Sequence, residues 1–252
     1  MKKKKWWIGI ILVGSILASI VIVLVSKSDN NQTEIQTEWE YVSDETSDGI
    51  REWITTARLE NEGFPQLIEG TELILYAILP FDGVFYEDGA DKPIENVSTI
   101  LLQNQSEEFV EYARIVCNYG ATEHIYEAST LEPGAMIVVQ ESNGATYMEG
   151  TPDACTASVA YMNEEDRTSD EIKVEVNALG KVRVTNKGDA DIPCVRIFYK
   201  FYLSDVNVWI GGITYTAKLT DVKAGEARVI SPSHFSNGLS RIMMVRTYDT
   251  TE

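Results

Sequence analysis

The side chains that most often carry chemistry in proteins are few in this chain. It has two histidines, His124 and His234, and three cysteines, Cys117, Cys155 and Cys194. Neither histidine stands at zinc-site spacing from another His, Cys or Glu, and the chain contains no His-Glu-x-x-His or Cys-x-x-Cys motif. The sequence therefore predicts no metal site and no cofactor.

Nucleophilic catalysis needs a base beside the nucleophile, as in a pair of Cys117 with His124. Cys117, however, alternates within a predicted strand as a buried residue does. Ser233 and His234 stand in a predicted loop before the last strand, where a hydroxyl that caps the backbone is the simpler interpretation. The chain also lacks a Gly-x-Ser-x-Gly elbow and a phosphate-binding glycine loop. We predict no catalytic residue and no enzyme.

Several carboxylates crowd into residues 81–91. Calcium takes six to eight oxygen ligands, which a dense acidic loop can supply, although the spacing here is not that of an EF-hand. A carboxylate- or calcium-dependent enzyme, secreted or anchored, stays open as the alternative. The carboxylates of this loop are Asp82, Glu87, Asp88 and Asp91.

Three smaller groups of residues have a structural interpretation. Glu107 and Glu108, and the residues 164–166, are paired carboxylates in predicted turns or linkers with no cleft to perturb them. Trp209 and Tyr215 lie near Gly211 and Gly212 and form either an exposed aromatic platform or, as we favour, part of the core.

The first 25 residues indicate how the chain is located. Lys2 to Lys5 form a basic tail at 1–5, and the uncharged run 6–25 has 20 residues, which as a helix span roughly 30 Å, the thickness of a bilayer core. Lysines on one side place the N-terminus in the cytoplasm and the rest outside the cell. A cleaved signal peptide is the alternative, but its apolar core is usually about 7–15 residues and ends in an Ala-x-Ala site, which is missing here.

The charge is divided sharply along the chain. Five of the 21 basic residues precede Ser28, whereas all 39 acidic residues follow it. Such a surface repels nucleic acid and anionic lipid headgroups. The expected partners are the membrane, through 6–25, and an unknown extracytoplasmic protein or cell-envelope ligand.

The sequence pattern after residue 63 is typical of a mainly β protein. Runs of four to eight β-branched and aromatic residues alternate with turns, which is typical of antiparallel sandwiches. These runs predict strands at 73–79, 83–86, 98–102, 111–117, 136–140 and 156–162. We expect a polar stalk at 26–62 with a short helix from Asp48, a first sandwich domain at 63–162, a linker at 163–170 and a second sandwich domain at 171–252. Cys117 and Cys155 fall in the same predicted domain and can pair outside the cytoplasm, although the sequence leaves this open. Cys194 is predicted to be a buried thiol.

The chain also repeats itself. Residues 99–118 align without a gap on residues 181–200, which places Asn104 on Asn186, and the later turn 131–135 matches 222–226. Each copy has a strand, a polar turn led by asparagine, an alternating strand and a glycine turn. The pattern predicts an internal duplication.

The second copy carries a resemblance to a known family. Val182-Arg-Val-Thr-Asn186, the run Val195-Arg-Ile-Phe-Tyr199 and the turn Lys223-Ala-Gly-Glu226 resemble FxLYD-like, immunoglobulin-like modules of bacterial exported proteins. The resemblance covers residues 172–249, with a fainter echo in 70–162, and Tyr202-Leu-Ser-Asp205 replaces the Tyr-Asp element of the family. It implies a seven-stranded, immunoglobulin-like sandwich in an extracytoplasmic protein, with no catalytic residue to carry over. Together with the predicted anchor, stalk and repeat, it leads us to expect two tandem sandwiches that bind or assemble at a bacterial cell surface, or act there as a passive spacer.

Overall fold

Short β-branched runs form strands along most of the chain in a computed structural model, which describes residues 44–59, 61–162 and 169–250. The described part is mainly β, with one helix, and Glu40–Glu252 forms one compact unit. Within the described ranges no helix has the length and apolar character needed to cross a bilayer. The predicted tail 1–5, the predicted membrane helix 6–25, the stalk up to residue 43 and most of the linker lie outside these ranges.

Helix α1 spans Asp44–Ala57 and so begins four residues before the predicted start at Asp48. The predicted apolar stripe is confirmed, because Ile50, Ile54 and Ala57 are fully buried and Trp53 nearly so. The indole of Trp53 donates a hydrogen bond to the carbonyl of Pro80 (2.9 Å). The helix is therefore attached to the sheet along one face, as its 3.6-residue period requires.

The thirteen strands of the described residues fall into two similar sets of six, preceded by the two-residue strand β1. In the first set, β2, β3 and β6 form one layer and β5, β4 and β7 another. In the second set, β8, β9 and β12 form one layer and β11, β10 and β13 the other. The strands are β1 Gln66–Leu67, β2 Leu73–Val84, β3 Pro93–Asn104, β4 Phe109–Tyr119, β5 Thr122–Leu131, β6 Met136–Gln140, β7 Ala154–Met162, β8 Ile172–Val176, β9 Val182–Asn186, β10 Ile192–Leu203, β11 Val208–Val222, β12 Ala227–Ile230 and β13 Ser240–Tyr248.

A parallel pairing joins the two sets. Strand β6 pairs with β11 over three residues, with Met136 opposite Val208. The result is a seven-stranded sheet in the order β1-β2-β3-β6-β11-β10-β13. The sheet thus crosses the predicted boundary between the two domains, and the division into two tandem domains stays a prediction.

Four apolar clusters hold the described layers together, and the smallest joins Phe109 and Met162 of the first set to Met244 of the second. The first fills the space between the layers of the first set, and Trp209 and Met243 of the second set reach into it. Another is formed by the second set alone, around Ile197. The third packs α1 against the outer face of β2, β3 and β6 and includes Phe201 and Ile210. The two sets therefore share buried surface as well as a sheet.

The predicted repeat has a physical basis in two buried asparagines. The Asn104 side-chain amide donates to the carbonyls of Glu108 (2.9 Å) and Leu131 (3.2 Å). The Asn186 amide donates to the carbonyls of Ala190 (2.8 Å) and Val222 (3.2 Å), at the matching positions. Each asparagine therefore fastens its own polar turn to the glycine turn of the same copy.

Two strands differ from the predicted pattern. The runs predicted at 73–79 and 83–86 are not two strands, because β2 continues from Leu73 through Pro80 to Val84, and residues 85–86 begin the following loop. Pro80 is tolerated near the edge of the sheet, where its missing N–H breaks no ladder bond. Strand β5 was not predicted. Its buried positions include His124 and Thr130 in addition to Tyr126, so its inward face is too polar to produce an apolar alternation.

Candidate functional site

The loop that joins β2 to β3 reaches across the molecule to β11. Gln140, at the end of β6, holds the start of this loop: its side-chain oxygen accepts a hydrogen bond from the Tyr86 N–H (2.7 Å), and its amide donates to the Val84 carbonyl (2.8 Å). Gln140 is buried. These two bonds fix the loop so that the next residue, Glu87, points into the junction between the two sets of strands.

On the other side of the junction β11 bulges away from β10. Tyr199 pairs with Tyr215 and Phe201 pairs with Ile210, so the four residues 211–214 lie opposite Lys200 alone. Gly211 has a φ of 81°, which favours glycine. At Gly212 a Cβ atom would lie 1.7 Å from the Glu127 carbonyl oxygen. The bulge therefore depends on both glycines, which lets β11 touch β5.

Glu87 and Lys200 both bind the backbone of Gly212 at this bulge. The Glu87 carboxylate accepts hydrogen bonds from the N–H groups of Gly212 (2.8 Å), Gln140 (2.9 Å) and Ile213 (3.3 Å). The Lys200 ammonium donates to the carbonyls of Gly212 (2.9 Å) and Ser129 (2.6 Å). We call these residues the junction network: Glu87, Ser129, Gln140, Lys200 and Gly212.

The charges of the junction network are unusual. Lys200 is fully buried, and this desolvation lowers the pKa of its ammonium, although Glu87 opposes the shift. Desolvation likewise raises the pKa of the Glu87 carboxyl, against the N–H donors and Lys200. Each group thus favours its neutral form more than it does in water.

The geometry of the junction network is suited to joining elements rather than to a reaction. The carboxylate is held by backbone N–H groups from β6 and β11, and the ammonium by carbonyls from β5 and β11. With Lys200 completely buried, its ammonium is not presented to a substrate. The network therefore ties the β2–β3 loop, β5, β6, β10 and β11 together at one point.

An aromatic stack lies beside the junction network. The rings of His234 and Tyr215 are parallel at 4.8 Å, and Tyr215 stacks on Tyr199 at 5.8 Å. His234 Nδ1 is 3.4 Å from a carboxylate oxygen of Asp91, and a Cβ atom at Gly89 would lie 3.4 Å from the Tyr215 ring. Burial and the Asp91 carboxylate raise the pKa of the Tyr215 phenol. The loop is thus held by rings as well as by hydrogen bonds.

The disulfide of the first set lies next to the other histidine. Cys117 and Cys155, whose pairing the sequence left open, are joined in a disulfide (S–S 2.06 Å). Cys194 is a buried free thiol, as predicted. Cys117 is opposite Cys155 on β7 and opposite His124 on β5. Cys117 and His124 are therefore adjacent, but the sulfur is in a disulfide. His124 is buried, and its Nδ1 has no hydrogen-bond partner among the described residues. Burial lowers the pKa of His124, against the Glu141 carboxylate.

The carboxylates of residues 81–91 do not converge on one point. Asp82 accepts a hydrogen bond from the Asn96 N–H (2.6 Å), and Asp88 accepts one from the Ala90 N–H (2.8 Å). Glu87 points into the junction network and Asp91 points to His234. In the described part of the chain, no group of three or more His, Cys, Asp or Glu side chains is placed to hold a metal ion.

The remaining residues singled out from the sequence have structural positions. Trp209 is buried, its ring 4.6 Å from that of Tyr202, in agreement with a role in the core. The carbonyl of Ser233 accepts a hydrogen bond from the Tyr199 hydroxyl. Glu107 and Glu108 lie in the turn between β3 and β4, and residues 164–166 are outside the described ranges.

The comparisons with known proteins were negative: no family model, no curated protein and no solved structure matches this chain. The junction network was not found from the sequence, because Glu87 and Lys200 are 113 residues apart and belong to different predicted domains. The one local signal was the pair Gly211-Gly212 inside a run of strand-forming residues, which marks a bulge or a close backbone contact.

Proposed function

We propose that this chain is a single-pass, membrane-anchored extracytoplasmic protein whose two tandem immunoglobulin-like β-sandwich modules bind or assemble with another component of the bacterial cell surface. The basic tail 1–5 and the apolar run 6–25 support the anchor. The matching strand order of β2–β7 and β8–β13 supports two modules of one kind, and the resemblance to FxLYD-like modules supports their type.

The observation that carries the proposal is the disulfide between Cys117 and Cys155. Disulfides form and persist outside the cytoplasm and are rare inside it. Combined with a basic N-terminus followed by 20 uncharged residues, the disulfide supports export of everything after the apolar run. The two lines of support are independent, because one comes from the N-terminal composition and the other from the packing of β4 against β7.

The geometry of the junction supports binding over catalysis. Its charged groups are held by backbone atoms of five elements, so they fix how the two modules are joined and leave the outer surfaces for a partner. A module pair of fixed shape displays such a surface with little loss of conformational entropy on binding. Because the exported part is strongly acidic, the preferred partner carries positive charge where it makes contact.

The state of the cysteines in living cells tests the location. Cells are quenched in acid, the chain is denatured, and free thiols are counted with a maleimide polymer, with and without prior reduction. We expect one reactive thiol, Cys194, before reduction and three after it. Three reactive thiols before reduction would place the chain in a reducing compartment and contradict the proposal.

Capture from isolated cell envelopes tests the binding role. The bait is residues 40–252, and the control bait is an unrelated protein of similar size and net charge, which removes partners held by charge alone. We expect a component that is retained by the bait and not by the control. If nothing is retained although the chain is exposed on cells, a passive spacer is the better description.

A further inference from the structure

The described strands include one long edge that is left unprotected. Strand β7, Ala154–Met162, is the outer strand of the layer β5-β4-β7. It pairs with β4 along its whole length, and among the described residues it makes no other backbone–backbone hydrogen bond. Within the part of the chain that the structure describes, the N–H and C=O groups of β7 that point away from β4 therefore have no backbone partner and are open to a further strand.

The composition of β7 differs from that of the other edges. Its nine residues, Ala-Cys-Thr-Ala-Ser-Val-Ala-Tyr-Met, include no charge, no proline and no glycine. Soluble proteins normally block an open edge with charges, prolines or bulges. The equivalent outer strand β13 carries Arg241 and Arg246, and its Val245 carbonyl accepts a hydrogen bond from the Ser169 N–H (2.9 Å). The outer strand therefore carries charges and an extra backbone hydrogen bond in the second set of strands, but not in the first.

The remaining edges are also protected. Strand β8 has the ion pair of Lys173 with Glu175, and β12 has Arg228, whose guanidinium bonds the carbonyl of Thr220 on β11. Strand β5 is covered by β11 and β10, because its Ser129 carbonyl accepts a hydrogen bond from the Lys200 ammonium. Among the described strands longer than two residues, β7 is the edge that carries no charge, proline or glycine of its own. Only its last residue is covered, because Met162 packs against Met244 and its sulfur accepts a hydrogen bond from Arg246 (2.8 Å).

The surroundings of β7 favour a basic partner. Tyr161 is 38% exposed, and Glu108 stands next to it in the layer, since the two residues after Glu108 pair with Met162 and Tyr161. Burial, with the carboxylates of Glu72 and Glu108, raises the pKa of the Tyr161 phenol. An exposed phenol ring beside carboxylates suits a lysine or arginine side chain, through the ring face and the charge together. A second copy of this chain would instead bring further carboxylates to the same place.

We propose that the free edge of β7 binds an extended, lysine- or arginine-bearing segment of another protein, which adds to the layer β5-β4-β7 as a fourth strand. Main-chain hydrogen bonds to the outward groups of β7 supply the attraction, and the carboxylates near Tyr161 select a basic segment. This inference rests on the proposed binding function and names its partner class and its surface.

The test uses the full 252-residue chain in nonionic detergent micelles and a defined probe, the fluorescent nonapeptide Lys-Val-Thr-Val-Lys-Val-Thr-Val-Lys. Control peptides replace its lysines by glutamate or its threonines by proline, which removes the charge match or the ability to form a ladder. Binding is followed by fluorescence anisotropy, and hydrogen exchange locates it. We expect the lysine peptide alone to bind and to slow amide exchange in β7.

Charged substitutions at exposed positions of β7 test whether the basic peptide binds beside this strand. T156K/S158K places like charges opposite the peptide and should weaken binding about tenfold, whereas T156E/S158E should leave it equal or stronger. The matched control T216K/T220K adds the same charge at exposed positions of β11 and should change binding less than about twofold. Circular dichroism and the midpoint of thermal unfolding verify that each variant is folded.

Two results would overturn the inference directly: the lysine peptide does not bind, or the β7 and β11 variants weaken its binding equally. A third is a dimer that forms without peptide and is dissociated by T156K/S158K, because the edge of β7 would then bind a second copy of this chain. These failures differ from failure of the proposed function. Absent peptide binding by a chain that is exposed on cells rejects the edge alone, whereas a chain with three free thiols in cells rejects the function even if the peptide binds in detergent.

Discussion

Replacing Lys200 by methionine tests whether the junction network holds the two repeats together. Methionine keeps most of the volume of the stem and removes the ammonium, so the carbonyls of Ser129 and Gly212 lose their donor and Glu87 loses the nearby positive charge. Removing one member of a buried charge pair typically costs about 3–5 kcal/mol. That loss is a large part of the roughly 5–15 kcal/mol that stabilises a typical domain.

The matched control is Lys173→Met. Lys173 lies 2.7 Å from a carboxylate oxygen of Glu175, but both side chains are about half exposed. Exposed pairs of this kind contribute about 0–1 kcal/mol. The comparison therefore tests burial, because the exposed Lys173 contacts a carboxylate directly and still has the smaller expected effect.

The assay is urea unfolding of residues 40–252, followed by tryptophan fluorescence. Trp53 reports on the cluster around α1, and Trp209 reports on the first core. K200M should lower the free energy of unfolding by several kcal/mol for both signals, and K173M should lower it by less than about 1 kcal/mol. A K200M loss no larger than that of K173M would refute the role of the network.

Three further predictions follow from buried groups. Replacing Cys117 and Cys155 by alanine opens a loop with a sequence separation of 38 and should lower the free energy of unfolding by about 4 kcal/mol in urea. Cys194 is kept, so that a thiol assay should find one free thiol in both proteins. Asn104→Ala should lower the free energy of unfolding by about 2–3 kcal/mol, and by more than Asn186→Ala does. With described residues the Asn104 side chain makes five hydrogen bonds and that of Asn186 makes three; an equal loss in urea unfolding would contradict this order. The pKa of His124 is lowered in the folded chain. Below pH about 6.5 the unfolded chain therefore binds a proton more readily than the folded chain does, and stability falls. The difference in unfolding free energy between wild type and His124→Gln should change between pH 7.5 and 5.5, and a constant difference would refute this role of His124.

Local patterns were sufficient to predict much of the fold. The apolar stripe of α1 follows from its spacing, and most strands follow from short β-branched runs. The alignment of Asn104 with Asn186 identified two turns that prove to have matching hydrogen bonds, because an asparagine that closes a turn acts within a few residues of its own position.

Contacts between distant segments were not predictable in this way. The parallel pairing of β6 with β11 and the meeting of Glu87 with Lys200 depend on where two separately formed sets of strands come together. A lysine in a strand is ordinarily interpreted as exposed, so Lys200 gave no sign of its burial. The open edge of β7 likewise emerges only when the sheet order is known, since composition alone does not distinguish an edge from a central strand.

The most direct test of the central claim, an anchored chain with its folded part outside the cytoplasm, is protease treatment of intact cells, or of protoplasts where a wall blocks access. The chain carries an epitope tag after Glu252, and a cytoplasmic protein serves as the control for lysis. We predict that the tag is lost from the full-length chain while the cytoplasmic control is untouched. Complete protection of the tag in cells whose other surface proteins are degraded would contradict the account.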